Sequence, residues 1–141
     1  MKILCGLPAL FLAASVTLGA QTPETFKARL GTVPVEAATL AGLTGASGAV
    51  TVVLTGTKLS VNGTFKGLQS PATVARLHAG PMGQRGPAML DLAVTKATSG
   101  TINGDLVLTP VQADHLRRKR VYVQVHSEKA PEGHLWGWLL P

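Results

Sequence analysis

The sequence predicts an all-β domain: an antiparallel, Greek-key-like β-sandwich or barrel of about seven to eight strands, with one short helix near residues 110–118. Three observations carry this expectation. Short segments rich in β-branched residues alternate apolar and polar side chains with period two. Turn signals built from Gly, Asn, Pro and Ser separate them at short intervals. A single helix-start pattern interrupts the series.

Residues 1–20 stand apart from the domain. Lys2 precedes an almost wholly apolar run from Ile3 to Leu18, and Leu18-Gly19-Ala20 offers small residues before Gln21. That is the layout of a secretory signal peptide. An uncleaved anchor is the other reading, but the run is at the short end for spanning a bilayer and contains Pro8. The expected mature chain, residues 21–141, is therefore one exported β domain, periplasmic or extracellular, with no transmembrane segment.

Cleavage near Ala20 also removes Cys5, the only cysteine. The mature chain then has no disulfide, no thiolate nucleophile and no thiolate metal ligand. A chain of this length buries a core without such staples. Its charge is +5, from twelve basic and seven acidic residues, and Arg117-Arg118-Lys119-Arg120 holds four of the twelve. No aromatic residues interleave with this run, so it reads as a solvated turn rather than a nucleic-acid contact.

The strands follow in order. Ala49 to Thr55 is β-branched and stops at Gly56. Lys58 to Phe65 alternates, with Leu59, Val61 and Phe65 on one face. Ala72 to His78 is extended. Ala88 to Thr95 alternates around Leu90, Leu92 and Val94, and Thr101 to Leu108 around Ile102, Leu106 and Leu108. Mid-strand glycines at Gly63 and Gly104 suggest a bulge or a close backbone approach. Val121 to His126 and His134 to Leu140 complete the series.

The helix begins at Thr109-Pro110-Val111-Gln112, an N-cap threonine with proline at the first helical position and a capping-box glutamine. It should run to about Arg118, with Val111 and Leu116 packing on the sheet. Between the strands at 72–79 and 88–95, Gly80-Pro81-Met82-Gly83-Gln84-Arg85-Gly86-Pro87 forms a turn with Gln84 and Arg85 at its exposed tip. No helix start follows it, as a phosphate-binding loop would require.

Several of these segments share a resemblance. Arg76-Leu77-His78-Ala79-Gly80-Pro81 is similar to the His-x-His-x-Gly segment of the CHRD domain family, named for repeats in chordin. Leu108-Thr109, Leu116 and Val121-Tyr122-Val123-Gln124-Val125-His126-Ser127 resemble its Leu-Thr…Leu…Tyr-Val-Asn-Val-His-Thr stretch. Pro131-Glu132-Gly133-His134-Leu135-Trp136-Gly137 resembles its closing Pro-x-Gly-Glu-Ile-Arg-Gly. The likeness spans residues 26–141. It implies an all-β exported domain with a role in extracellular binding, and supplies no catalytic residues.

The chain also departs from that pattern. Arg76 stands in place of the first histidine of the pair, and Lys119 in place of a glycine before the tyrosine strand. His134 replaces a glutamate, while Trp136 and Trp138 replace polar residues.

The closing hairpin defines the candidate site. A turn at residues 127–133 with symmetric pairing sets Tyr122 opposite Trp138, Gln124 opposite Trp136 and His126 opposite His134. All six then share one face. Val121, Val123, Val125, Leu135 and Leu139 take the other, which is the expected core face. A one-residue slip would mix the two sets. The first face, with Arg76 and His78 at its rim, is the expected binding surface for a protein or cell-envelope component.

An alternative role for the histidines is a zinc or copper site made by His78, His126 and His134. The leading expectation is no metal and no cofactor, since Arg76 sets a cation where a further ligand would stand. No Gly-x-Ser-x-Gly elbow or paired catalytic carboxylates appear, so no enzymatic activity is expected.

Overall fold

The computed structural model describes residues 21–34 and 44–141. The expected signal peptide, with Cys5, lies outside the described residues. Eight antiparallel strands close into a barrel: β1 (Glu24–Thr32), β2 (Ser47–Thr55), β3 (Lys58–Lys66), β4 (Ala72–Ala79), β5 (Ala88–Val94), β6 (Gly100–Val107), β7 (Val121–Ser127) and β8 (Ala130–Trp138). One helix, α1 (Pro110–Arg117), joins β6 to β7. Around the barrel the order is β1-β2-β3-β6-β5-β4-β7-β8. Hairpins link β4, β5 and β6, while β3 returns beside β6 and β7 beside β4, giving two overlapping Greek keys.

Period-two patterning fills the interior. Leu59, Val61 and Phe65 point inward as their alternation predicts, and so do Val121, Val123, Val125, Leu135 and Leu139. In a barrel of this strand number such side chains pack the lumen solid. The strand absent from the sequence reading is β1. Its alternation is regular, with Phe26, Ala28 and Leu30 buried. β1 closes the barrel by pairing Gly31 with Trp136 and Thr32 with Leu135. Further along, Lys27 and Leu140 exchange backbone hydrogen bonds of 2.7 and 2.9 Å.

Gly63 and Gly104 are close approaches, not bulges. The β2–β3 and β3–β6 registers run through them without a shift. A Cβ at Gly63 would stand 2.7 Å from the Ala49 carbonyl oxygen, so only glycine fits without displacing β2.

The capping box at α1 is complete. Thr109 Oγ1 accepts from Gln112 N at 3.2 Å and Gln112 Oε1 accepts from Thr109 N at 3.0 Å. Leu116 and Ala113 are buried in the barrel core, whereas Val111 is 65% exposed. The expected pairing of Val111 with Leu116 on the sheet is thus corrected to Ala113 with Leu116, which share a face at i, i+3.

The basic run ends the helix. Arg117 pairs with Glu24 at 2.8 Å and holds that carboxyl below its ordinary pKa, chiefly by hydrogen bonding. Arg118 pairs with Asp114 at 2.9 Å. Arg120 N donates to His115 O and Lys119 N to Leu116 O, which together form a Schellman cap.

That cap demands a left-handed residue, and Lys119 takes φ 62° there. It is the one non-glycine residue with positive φ among the described residues. Lys119→Gly removes the Cβ penalty and is expected to raise unfolding free energy by about 1 kcal/mol. Equilibrium urea unfolding checks this; an unchanged or lowered midpoint would contradict the strain assigned to Lys119.

Candidate functional site

The outer face of β4, β7 and β8 carries most of the expected site residues. The β7–β8 register pairs Tyr122 with Trp138 and Gln124 with Trp136. The β4–β7 register adds His78 opposite Tyr122, Arg76 opposite Gln124 and Val74 opposite His126. Seven of the eight candidates therefore share a face: Tyr122, Gln124, His126, Trp136, Trp138, Arg76 and His78.

His134 does not. The hairpin turn is only Glu128-Lys129, because Ser127 pairs with Ala130, and the expected turn over 127–133 is corrected accordingly. Between Ser127–Ala130 and Val125–Leu135, residues 131–134 face the single residue His126. This bulge turns His134 into the barrel interior, fully buried, with its Nδ1 2.9 Å from Ser127 Oγ. The expected His126–His134 cross-strand pair is absent. Pro131 has no amide proton for the ladder and Gly133 adopts φ 127°, so the regular pairing cannot continue through them.

Side chains of the outer face satisfy the bulge. Gln124 Nε2 donates to Glu132 O at 2.8 Å, and His126 Nδ1 meets Pro131 O at 2.8 Å. Arg85 reaches from the β4–β5 loop to the same Glu132 carbonyl at 2.8 Å.

The Gly80–Pro87 loop folds over the aromatic residues as a roof. Trp138 Nε1 donates to Gly80 O at 2.9 Å. Tyr122 Oη accepts from Gly86 N at 2.9 Å and lies 3.3 Å from Gly86 O. Tyr122 is wholly buried: it stacks on His78 at 4.9 Å and meets Trp138 at 4.6 Å. Trp136 packs edge-on against Trp138 at 4.7 Å and remains half-buried, with the Arg85 guanidinium 6.0 Å from its ring. The face expected as a binding surface, with the exposure of its tryptophans undecided, is therefore largely a second small core.

The two outer histidines occupy one flank of this cluster. Their ring centroids are 6.4 Å apart. His78 Nδ1 meets Gly86 O at 2.9 Å, matching the His126 contact with Pro131 O. Burial pushes the His126 imidazole below its ordinary pKa; its hydrogen bond to Pro131 opposes this, and nearby His78, Arg76 and Arg85 reinforce it. Arg76 itself turns to Asp91 on β5, 2.8 Å away.

Sequence reading missed Arg85, Gly86, Asp91 and Ser127 as partners in this region. Asp91 becomes legible once β5 is registered on β4, because the register sets it directly opposite Arg76. Arg85 and Gly86 leave no such signal, since the loop conformation decides where they land.

A closed antiparallel barrel with Greek-key connections, one outer face roofed by its own hairpin loop, defines the class as a small all-β module. The chain belongs to the CHRD domain family, whose sequence profile matches residues 31–139. No curated protein and no solved structure matches the chain.

Proposed function

We propose that the domain is an exported, non-catalytic binding module that engages an envelope component bearing anionic groups. The contact surface is the part of the outer β4–β7–β8 face that the loop leaves open. One observation carries this reading: Trp136 stays partly exposed beside the exposed Arg85, on a base of Tyr122 and Trp138 that the loop pins. An aromatic–arginine pair on a rigid base is the composition of an interface anchor. Lys27 and Arg29 on the outer side of β1 are also exposed, so the rim is cationic.

Among the described residues Ser127 and His134 touch as a nucleophile and a base would, but both are 0% exposed, which supports the non-catalytic reading. Co-sedimentation of the mature domain with isolated cell envelopes tests the proposal. Trp136→Ala combined with Arg85→Ala is expected to weaken retention by about 30-fold or more, in keeping with loss of a hot-spot pair. Added salt should weaken the parent's retention as well. Unchanged retention by a folded double variant would refute this assignment of the surface.

A further inference from the structure

His78 and His126 present an arrangement that the binding surface does not use. In each ring Nδ1 faces a backbone carbonyl oxygen, Gly86 O or Pro131 O. A carbonyl can only accept, so Nδ1 carries the proton in both rings. A neutral ring then offers Nε2 as an unshared lone pair. Both Nε2 atoms are buried, and neither has a hydrogen-bond partner within the protein.

Buried acceptors without a donor are uncommon, because each forfeits its hydration. Here two lie on adjacent rings, 6.4 Å between centroids, on β4 and β7 of one face. Orientation of a ring by donation from Nδ1 to a carbonyl is also the second-shell pattern of metal-bound histidine. Tyr122, stacked on His78 at an interplanar angle of 15°, fixes that ring further.

We infer that His78 and His126 together bind a single copper(I) ion through their Nε2 atoms. Two metal–nitrogen bonds of about 2 Å, with each ring nitrogen about 1 Å from its own centroid, span about 6 Å, which suits centroids 6.4 Å apart. Imidazole serves both copper and zinc. The donor count separates them: among the described residues no group of three or more His, Cys, Asp or Glu is placed to hold an ion. Zinc sites take three or four protein ligands, whereas copper(I) is satisfied by two nitrogen donors in a near-linear arrangement.

Charge points the same way. Arg76 and Arg85 lie close enough to His126 to depress its protonation. They oppose a dication twice as strongly as a monocation at the same site. Arg76 is partly neutralised by Asp91, 2.8 Å away, so its presence in this segment does not close the site to a singly charged ion. The expected third histidine, His134, is in the core and takes no part. This inference does not rest on the envelope-binding reading, which uses Trp136 and Arg85.

The test is anaerobic titration of copper(I) into the mature protein against a chromophoric copper(I) chelator. One equivalent should be withheld from the chelator. His78→Asn and His126→Asn keep an amide N–H for the Gly86 or Pro131 carbonyl and delete Nε2. Each should weaken the site on the order of 100-fold or more, beyond the usual loss from a second-shell change. Copper(I) should also shift the ring resonances of His78 and His126, but not His115, in the unaltered protein; this readout needs no variant to fold. The inference is overturned if the unaltered protein withholds no copper(I), as a bridging water alone would predict, or if both asparagine variants withhold it equally, which would place the ion elsewhere. It is overturned too if zinc(II) binds as tightly with the same histidine dependence.

Discussion

Tyr122→Ala is expected to lower the unfolding free energy by about 3–5 kcal/mol, the range for deleting a fully enclosed aromatic side chain. Tyr122 has no exposed surface although it projects from the outside of the barrel. Its ring contacts His78, Trp136 and Trp138, with centroids 4.9, 5.8 and 4.6 Å away. Its hydroxyl ties the loop through Gly86. Truncation opens a cavity beneath the roof and releases the loop, while the barrel interior keeps its own packing. Tyr122→Phe retains the ring stack and should cost only about 1–2 kcal/mol, from the Gly86 amide left without its acceptor. Denaturant unfolding of both variants measures the difference, and amide exchange at Gly86 reports the loop. A Tyr122→Ala loss below about 1 kcal/mol would mean that the outer cluster is not a core.

The interior of the barrel was legible from alternation because packing there obeys period two strand by strand. The same rule paired Tyr122 with Trp138 and Gln124 with Trp136, where the ladder is regular. It failed at His134, five residues beyond the turn, because Pro131 and Gly133 shift the pairing and extrapolated alternation then names the wrong face. β1 carries the right pattern, with Lys27 and Arg29 at outward positions, but Ala28 adds little hydrophobicity and leaves only Phe26 and Leu30 to mark its inner face. Closure into a barrel depends on β1 meeting β8, a contact across the whole domain that no local segment encodes.

For the site, sequence assembled the aromatic residues correctly but left their exposure undecided. Burial of Tyr122 depends on where Gly86 lands, and a loop of glycine and proline has no periodicity to reveal that. Sequence set His78 and His126 together only within an alternative metal set that included His134; that these two alone meet was not visible. The two lie on different strands, and the register sets Arg76 and Gln124 between them. Arg76 turns to Asp91 and each Nδ1 is anchored on a backbone carbonyl, with the two ring centroids 6.4 Å apart.

Gly133→Ala is the second large effect expected, at about 2–6 kcal/mol. Two costs combine. Backbone at φ 127° is strained for any residue with a side chain, worth about 1–3 kcal/mol. A Cβ at this position would also collide with Gln124 Nε2, the atom that donates to Glu132 O. Gln124 is 2% exposed, so its displaced amide finds no water, which adds about 1–3 kcal/mol. Gly83→Ala separates the two costs. Gly83 has φ 81°, but a Cβ there would meet nothing within 4 Å, so only the backbone strain should appear. Unfolding free energies of the two variants give the difference, and the Gln124 side-chain amide resonances report whether its hydrogen bond survives. If Gly133→Ala costs no more than Gly83→Ala, the Gln124–Glu132 contact does not hold the bulge. If the excess appears together with a shifted Gln124 amide, that contact fixes the offset between β7 and β8. The same offset then decides why His126 stays outside beside His78 while His134 is carried into the core.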